Sequence, residues 1–344
     1  MSAARAWGQP LASAQVAAQP EDFHVTEQLG FSADGDGPHL LVEIEKTRLS
    51  TAEAMQQLAA HWQVALKSMG YAGRKDRQAI TRQFFTLPWP INDDWPPIGA
   101  IPTTGEGALT VLSIARQRRK LRIGALKGNR FALRLRQVDG ERSALESRLR
   151  QIAREGVPNY FGAQRFGRGG QNVAQASAWF AGKRRPRGRN ERSLLLSAAR
   201  SECFNQVLSA RVAAGDWNQI NADDRVILDA RGSHFAVAPN DLAALHRRAA
   251  GLRVHPTGPL PGTTRPGLGL TDALMARERD WLSPLQALVD GLIEKGVEAD
   301  RRALRLAVGA MAWHWSAPDE LLLSFSLARG AFATTVLREL VEPV

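Results

Sequence analysis

Residues 70–83 have the sequence Gly-Tyr-Ala-Gly-Arg-Lys-Asp-Arg-Gln-Ala-Ile-Thr-Arg-Gln, which places the carboxylate of Asp76 among several cations. A helical pattern precedes this stretch, and the strand-like run Phe84-Phe85-Thr86-Leu87 follows it. Asp76 is therefore predicted to lie on a loop between two regular elements, where functional residues are often found. The flanking cations favour the ionised form that a nucleophilic carboxylate requires. The same residues are also typical of a surface turn with mixed charges, so the rest of the chain has to decide.

The composition favours a protein that binds nucleic acid. The chain has 344 residues, 44% of them hydrophobic, which is enough for a sizeable core and predicts about two domains. Lys and Arg number 45 against 34 acidic residues, giving a formal net charge of +11 at pH 7. Arginine, whose forked donors suit phosphate, dominates this excess.

Several classes of protein are excluded by what the sequence lacks. A lone cysteine, Cys203, excludes a disulfide framework and a zinc site built from several cysteines. No apolar run reaches the roughly 18 residues of a membrane span, and residues 1–20 lack the apolar block of a signal peptide. We therefore expect a cytosolic, cytoplasmic protein with no membrane partner. Walker, G-x-G-x-x-G, G-x-S-x-G and H-E-x-x-H motifs are missing as well, so an enzyme here would depend on carboxylate chemistry.

The pattern along the chain predicts an α+β protein with an insertion. Residues 23–45 alternate like two strands around a turn and are predicted to form an antiparallel hairpin. Ser50-Thr51-Ala52-Glu53 is a capping box that predicts the start of a helix. Strand-like ends flank a helix-rich middle. We expect one discontinuous domain from residues 1–154 plus 303–344, with a second domain, 155–302, inserted into it.

Two basic segments are candidates for RNA contact. Arg116 to Arg122 leads into the strand-like Asn129 to Arg136, which alternates apolar and basic residues. A groove facing phosphates and a solvated edge strand protected by arginine both explain this pattern. Lys183 to Arg189 is the densest basic cluster, and its Pro and Gly predict a loop that is either available to RNA or simply solvated.

Six segments recur, in order, as in a known family. They are Pro20 to Glu27, Gly70 to Gln83, Arg119 to Phe131, Val157 to Gly167, Leu196 to Arg200, and Gly330 to Val336. Together they resemble the TruD family of tRNA pseudouridine synthases along nearly the whole chain. The resemblance implies a pseudouridine-synthase-type catalytic domain with a mixed, mainly antiparallel sheet, interrupted by an inserted TruD-specific α/β domain.

The resemblance also implies the reaction and its residues. A uridine of tRNA, at position 13 in the bacterial family, is isomerised to pseudouridine without metal or organic cofactor, and no obligate protein partner is expected. By that likeness Asp76 is the catalytic carboxylate, and Phe23, Asn129 and Phe332 line the uridine pocket. We add Phe131, because it lies two residues from Asn129 on the same predicted strand and should point to the same side. Core packing is the alternative explanation for these side chains.

Three questions stay open at this level. The carboxylate can attack C1′ of the ribose, attack the base, or abstract a sugar proton. Family members commonly carry Lys or Arg six residues before the phenylalanine of the Pro-Glu-Asp-Phe element, where this chain has Ala17. Another cation, such as Arg74 or Lys75, then supplies the positive charge, or activity is weakened. The rival functions are a non-catalytic RNA-binding protein and an N-glycosidase that releases the base.

Overall fold

The protein is described from a computed structural model that defines residues 4–229, 232–264 and 269–344. The chain divides into two compact units. What we call the sheet unit comprises Ala12–Glu141, Gly309–Gly330 and Glu342–Val344. The helical unit comprises residues up to Leu11, the described part of Arg142–Val308, and Ala331–Val341.

The strands and helices follow one another with short connections. The strands are β1 (Ala12–Val16), β2 (Phe23–Gln28), β3 (His39–Thr47), β4 (Gly70–Tyr71), β5 (Ile80–Pro88), β6 (Gly99–Ile101), β7 (Ala108–Gln117), β8 (Gly128–Gly140), β9 (Val157–Pro158), β10 (Arg225–Leu228), β11 (His234–Ala236), β12 (Val254–Leu260), β13 (Asp300–Ala303), β14 (Arg305–Leu306), β15 (Gly309–Ala317), β16 (Glu320–Ala328) and β17 (Val341–Pro343). The helices are α1 (Thr51–His61), α2 (Arg142–Glu155), α3 (Gln171–Phe180), α4 (Arg189–Ala213), α5 (Leu242–Ala250), α6 (Asp272–Leu282), α7 (Gln286–Glu294) and α8 (Ala333–Leu337).

The sheet unit is built on one large mixed sheet. Its strands lie in the order β15-β16-β8-β2-β5-β3-β7-β6, and β1 and β4 pair with β8 and β5. Most neighbours run antiparallel, while β2 and β5 are parallel. The mixed, mainly antiparallel sheet expected from the sequence is confirmed.

The predicted hairpin of residues 23–45 is wrong. Both segments are strands, but β5 lies between them and pairs with β2 on one side and β3 on the other. A parallel partner needs a long crossover connection, and residues 29–79 provide it through β3, α1 and β4. The turn between β2 and β3 therefore spans a gap that a later strand fills.

Helix α1 packs on this sheet because its sequence fixes both its start and its apolar face. Ser50 accepts a hydrogen bond from the Glu53 amide, and Glu53 accepts one from the Ser50 amide, so the predicted capping box is confirmed. Ala54 and Leu58 then lie fully buried in a cluster with every second residue of β3. The period of two in the strand and of about 3.6 in the helix bring the apolar sides together.

The helical unit is organised around the long helix α4. Buried residues along α4 belong to two apolar clusters, one shared with α3 and α7 and one with Tyr160 and Trp217. A second sheet, in the order β11-β10-β12-β13, completes the unit. Arg211 near the end of α4 is 1% exposed in its side chain and pairs with Asp224 at 2.9 Å.

The compact units have different bounds from the predicted domains. The sheet unit ends at Glu141 and resumes at Gly309, so α2 belongs to the helical unit. The division into 1–154 plus 303–344 and 155–302 stays a proposal about the domains of the family. Within the described residues, no helix has the length and apolar character needed to cross a bilayer.

The close approach of α7 to α3 provides a test of packing in the helical unit. A Cβ at Gly291 would collide with the Phe180 ring, so Gly291→Ala should lower the free energy of unfolding by about 1–3 kcal/mol. Gly251→Ala is the matched control, since its new Cβ would find neighbours only at 3.7 Å and beyond. Urea unfolding measures both variants. Equal stability of the two would show that the α3–α7 contact is not tight.

Candidate active site

The loop that carries Asp76 is closed at its base by two paired strands. Tyr71 of β4 lies opposite Phe85 of β5, so residues 72–79 form a loop between strands. Asp76 is exposed, and its Oδ1 accepts a hydrogen bond from the Gln78 amide at 3.2 Å. This local bond holds the carboxylate at the tip of a turn. The predicted loop position is confirmed, although β5 begins at Ile80, earlier than expected.

Lys75 anchors the loop to the sheet. Its amide donates to Thr51 Oγ1 at 2.8 Å, and the Thr51 hydroxyl donates to Gln83 Oε1 at 3.0 Å. Its Nζ lies 2.5 Å from Glu27 Oε1, and the two side chains are 4% and 0% exposed. Glu27 also accepts from the Phe84 amide at 3.0 Å. Lys75 is thus committed to Glu27, and the loop is fixed on both of its flanks.

The cation next to Asp76 comes from β3. Lys46 is fully buried, and its Nζ donates to the main-chain oxygen of Asp76 at 2.7 Å and to that of Leu49 at 2.5 Å. Among the residues that the structure describes, no cation lies within ion-pair distance of the Asp76 carboxylate itself. Lys46 therefore holds the main chain of Asp76 and places a positive charge under the loop.

Burial makes Lys46 an unusual lysine. Loss of hydration lowers its pKa to about 8, although the charge of Asp76 acts in the opposite direction. Lys75 lowers this pKa further and Glu53 raises it. A lysine with this pKa changes charge close to neutral pH, which an exposed lysine does not do.

Ala17 faces the same region of the sheet unit. It has a positive φ of 54° and lines a cleft of about 790 Å³ together with Arg77 and Gln78 of the Asp76 loop. Arg48 and Glu53 line this cleft too. The position where family members carry a cation is therefore open toward the loop. Of the cations proposed as substitutes, Lys75 pairs with Glu27, and Arg74 is exposed.

The aromatic candidates form a stack of rings on one face of the sheet. Phe23 and Phe131 meet edge to face with centroids 6.2 Å apart, and Phe131 lies 5.5 Å from Phe325 behind it. Phe23 is half-buried, whereas Phe131 is only 6% exposed. Phe131 therefore supports the Phe23 ring, and Phe23 is the ring that remains accessible.

Asn129 carries an unsatisfied acceptor on the same face. It pairs in register with Glu27 of β2, and its Oδ1 is buried without a hydrogen-bond partner. Two atoms of the neighbouring strand β5, Thr81 Oγ1 and Gln83 Nε2, are also buried and unpartnered. A buried polar group without a partner costs about 1–3 kcal/mol, so such groups indicate a place where a polar ligand binds.

Phe332 belongs to the helical unit. It precedes α8 as the N-cap residue, is half-buried, and its carbonyl accepts from the Thr335 amide at 3.0 Å. Among the residues described, no group of three or more His, Cys, Asp or Glu side chains is arranged to hold a metal ion.

The basic strand β8 is less cationic than its sequence suggests. Arg136 pairs with the buried Asp22 at 2.9 Å and with Glu320 at 3.1 Å. Arg116 is buried and donates to the main-chain oxygens of residues 89–91. These arginines hold the sheet together. The exposed cations of the region are those of the preceding loop, among them Arg119, Arg122 and Lys127.

Sequence reasoning missed Lys46 and Glu27, although one signal was present. Leu40, Val42 and Ile44 alternate on the buried side of β3, and Lys46 occupies the next position of that series. A charged residue where period two predicts core indicates a buried partner. Glu27 follows Val25 in β2 in the same way. The identity of the partners was not visible, since Glu27 and Lys75 lie 48 residues apart.

The chain is similar to one family along almost its whole length. The family model described as tRNA pseudouridine synthase D (TruD) matches residues 5–175 and 188–340. A Pseudomonas fluorescens (strain Pf0-1) protein named tRNA pseudouridine synthase D is 43% identical over 345 residues, covering 99% of this chain and 94% of the relative. A protein of the same name from Ectopseudomonas mendocina (strain ymp) is 44% identical over 341 residues with the same coverages.

A solved structure shares the fold. It is the crystal structure of a Methanosarcina mazei protein described as a candidate tRNA pseudouridine synthase D (TruD). It superimposes with a TM-score of 0.73, covering 98% of this chain and 95% of the other at 21% identity. This likeness confirms the fold class expected from the sequence.

The buried pair under the loop gives a stability prediction. Lys75→Met leaves the Glu27 carboxylate buried without its cation, which should lower the free energy of unfolding by about 3–5 kcal/mol. Adding Glu27→Gln removes the buried charge but keeps an acceptor for the Phe84 amide, so the double variant should regain part of the loss. Denaturant unfolding of the wild type, both single variants and the double variant completes the cycle. Additive losses would show that the two charges do not interact.

Proposed function

The chain belongs to the tRNA pseudouridine synthase D (TruD) family, and from this premise we propose that it converts uridine 13 of tRNA to pseudouridine with Asp76 as its catalytic carboxylate. Isomerisation of uridine in tRNA is the activity of the family to which it belongs. The position of the uridine and the roles of individual residues are the parts that we add.

One observation carries the assignment of Asp76. Its loop is fixed by Lys46, by the Thr51 hydroxyl and by the buried Glu27–Lys75 pair, while its carboxylate stays exposed. A carboxylate that only decorated a surface turn would not require three buried anchors. Positioning of a reactive group in advance is what a catalytic loop requires.

The residues beside the loop suit a uracil base. Phe23 offers a flat apolar face, and the unpartnered Asn129 Oδ1 can accept a hydrogen bond from the N3–H of uracil. Phe131 supports Phe23 from behind, as its burial favours. Phe332 completes the proposed pocket by its likeness to the family pattern. The base must leave its stack to enter such a pocket.

The reaction needs a group that can hold the base while its bond to the sugar is exchanged. The N1–C1′ bond breaks, the uracil turns, C5 bonds to C1′, the proton of C5 leaves and N1 gains a proton. Asp76 attacks C1′, attacks the base, or abstracts a sugar proton, and the three routes share the same anchored carboxylate. Metal and organic cofactors have no step in this proposal.

The substrate is proposed to be bound largely through phosphates. Lys183, Arg185, Arg187 and Arg189 are exposed on the loop before α4, and Arg184 ties that loop to Gln175 and Glu191. Such cations supply affinity that falls steeply with salt. We place the enzyme in the cytoplasm, where tRNA is available, and the proposal requires no protein partner.

Replacement of the carboxylate tests the assignment directly. Wild-type protein incubated with unmodified tRNA labelled with tritium at uracil C5 should release the label to water, and Asp76→Asn should abolish release while tRNA binding persists. Asp139→Asn, at an exposed aspartate of β8, is the matched control and should stay active. Mapping of the product should place pseudouridine at position 13.

Each other outcome overturns a named part of the proposal. No release by the wild type would leave an RNA-binding protein, and free uracil would indicate a glycosidase. Activity in Asp76→Asn would remove the carboxylate from catalysis. Pseudouridine at another position would overturn position 13 alone.

The charge of Lys46 predicts a pH dependence. Below pH 8 Lys46 is protonated and positive, and above it the charge is lost, so the single-turnover rate should fall as pH rises through about 8. Lys46→Arg keeps its charge well beyond this range and should move the fall to higher pH. Lys67→Arg, at an exposed lysine, should leave the profile unchanged. Coincident profiles for wild type and Lys46→Arg would exclude a role for this charge.

A further inference from the structure

An isoleucine stands at the tip of a tight turn on the loop before β8. Ile123 is 78% exposed, well above the other large apolar side chains of its loop. The turn runs from Arg122 to Ala125, closed by the Ala125 amide donating to the Arg122 carbonyl at 3.0 Å. Gly124 has a φ of 89°, the left-handed value that the third residue of a type II turn needs. Ile123 is therefore the outward corner of the turn.

This turn is pinned rather than loose. The Gly124 amide donates to the Ala72 carbonyl at 2.7 Å, and Arg329 Nη1 donates to the Gly124 carbonyl at 2.7 Å. Leu121 behind the turn is buried in a cluster with Ala72. Isoleucine is also stiff at χ1, because its Cβ is branched. An apolar side chain on a rigid corner keeps its direction when a partner approaches.

The same contacts join the turn to the proposed site. Ala72 begins the loop that leads to Asp76, and the Gly124 bond therefore sets the turn directly against that loop. On its other side the chain runs into β8, where Asn129 stands. The Lys127 amide donates to the Gln28 carbonyl at 2.8 Å, which fixes this second connection. The corner, the carboxylate and the base-edge acceptor share one scaffold.

The surroundings of Ile123 are cationic and uncompensated. Arg119, Arg122 and Lys127 are exposed, and no carboxylate of the described residues pairs with them. Ile91, 70% exposed, lies instead close in sequence to the exposed Asp93 and Asp94. An isolated exposed isoleucine is ordinary, but one framed by free cations on a rigid turn matches a polyanion with an apolar interior.

We propose that Ile123 is a wedge that enters the base stack of the RNA beside the target uridine, while Arg119, Arg122 and Lys127 bind the flanking phosphates. The proposal rests on the proposed function, because only an enzyme that extracts a base from structured RNA needs such a wedge. A base that leaves its stack opens a gap, and an apolar side chain that fills the gap offsets part of the lost stacking.

The test separates unstacking from binding and from chemistry. It uses tRNA with 2-aminopurine next to the target uridine, whose fluorescence rises when neighbouring bases unstack. With Asp76→Asn protein, which binds without turnover, fluorescence should rise. Adding Ile123→Ala should reduce that rise severalfold, with the Kd for tRNA changed by less than about threefold, since the phosphate contacts remain. In the otherwise wild-type protein, Ile123→Ala should lower the single-turnover rate roughly tenfold or more.

Matched variants make each outcome decisive. Ile91→Ala should behave as wild type, and Ile123→Met, which keeps an apolar tip, should retain most of the fluorescence change and the rate. An unchanged rise with Ile123→Ala overturns the wedge, and so does a collapse of tRNA binding, which would make Ile123 a docking contact. Label release by the wild type is scored separately, so a failed wedge leaves the synthase proposal standing.

Discussion

The hydrogen bond from the buried Lys46 to the main-chain oxygen of Asp76 is the contact on which the proposed site depends. It joins β3, in the middle of the sheet, to a loop that would otherwise be free to move. The Glu27–Lys75 pair does the same from β2. Burying two lysines costs hydration energy that an apolar core would not lose. A surface turn gains nothing from that expense, whereas a carboxylate that has to meet one atom of a substrate gains a fixed position.

The local parts of the fold followed from local sequence. The capping box at Ser50 placed the start of α1, and alternation identified β2, β3 and β8, because each signal lies within a few residues. The pairing of those strands did not follow. The hairpin prediction failed because β5 competes for the edges of both β2 and β3, and a partner distant in sequence leaves no mark on either strand.

The candidate site divides in the same manner. Asp76 was visible as a carboxylate among cations, and the family pattern supplied Phe23, Asn129 and Phe332. Which cation serves Asp76 was not visible, because the charges nearest in sequence turn elsewhere and the one that matters comes from β3. Phe131 shows the limit of spacing arguments: it lies on the face of Asn129, but its burial makes it a support for Phe23.

The partner of β8 on its outer side is β16, and nearly the whole helical unit lies between them in the chain. During synthesis, β8 therefore emerges from the ribosome long before the strand that covers its edge. Until then its row of unpaired amides and carbonyls can pair with other chains. The order of synthesis thus gives the inserted segment time to fold first and leaves the catalytic sheet to close late. A chain interrupted before β16 would carry Asp76 and Asn129 but an open sheet, and we expect quality control to remove it.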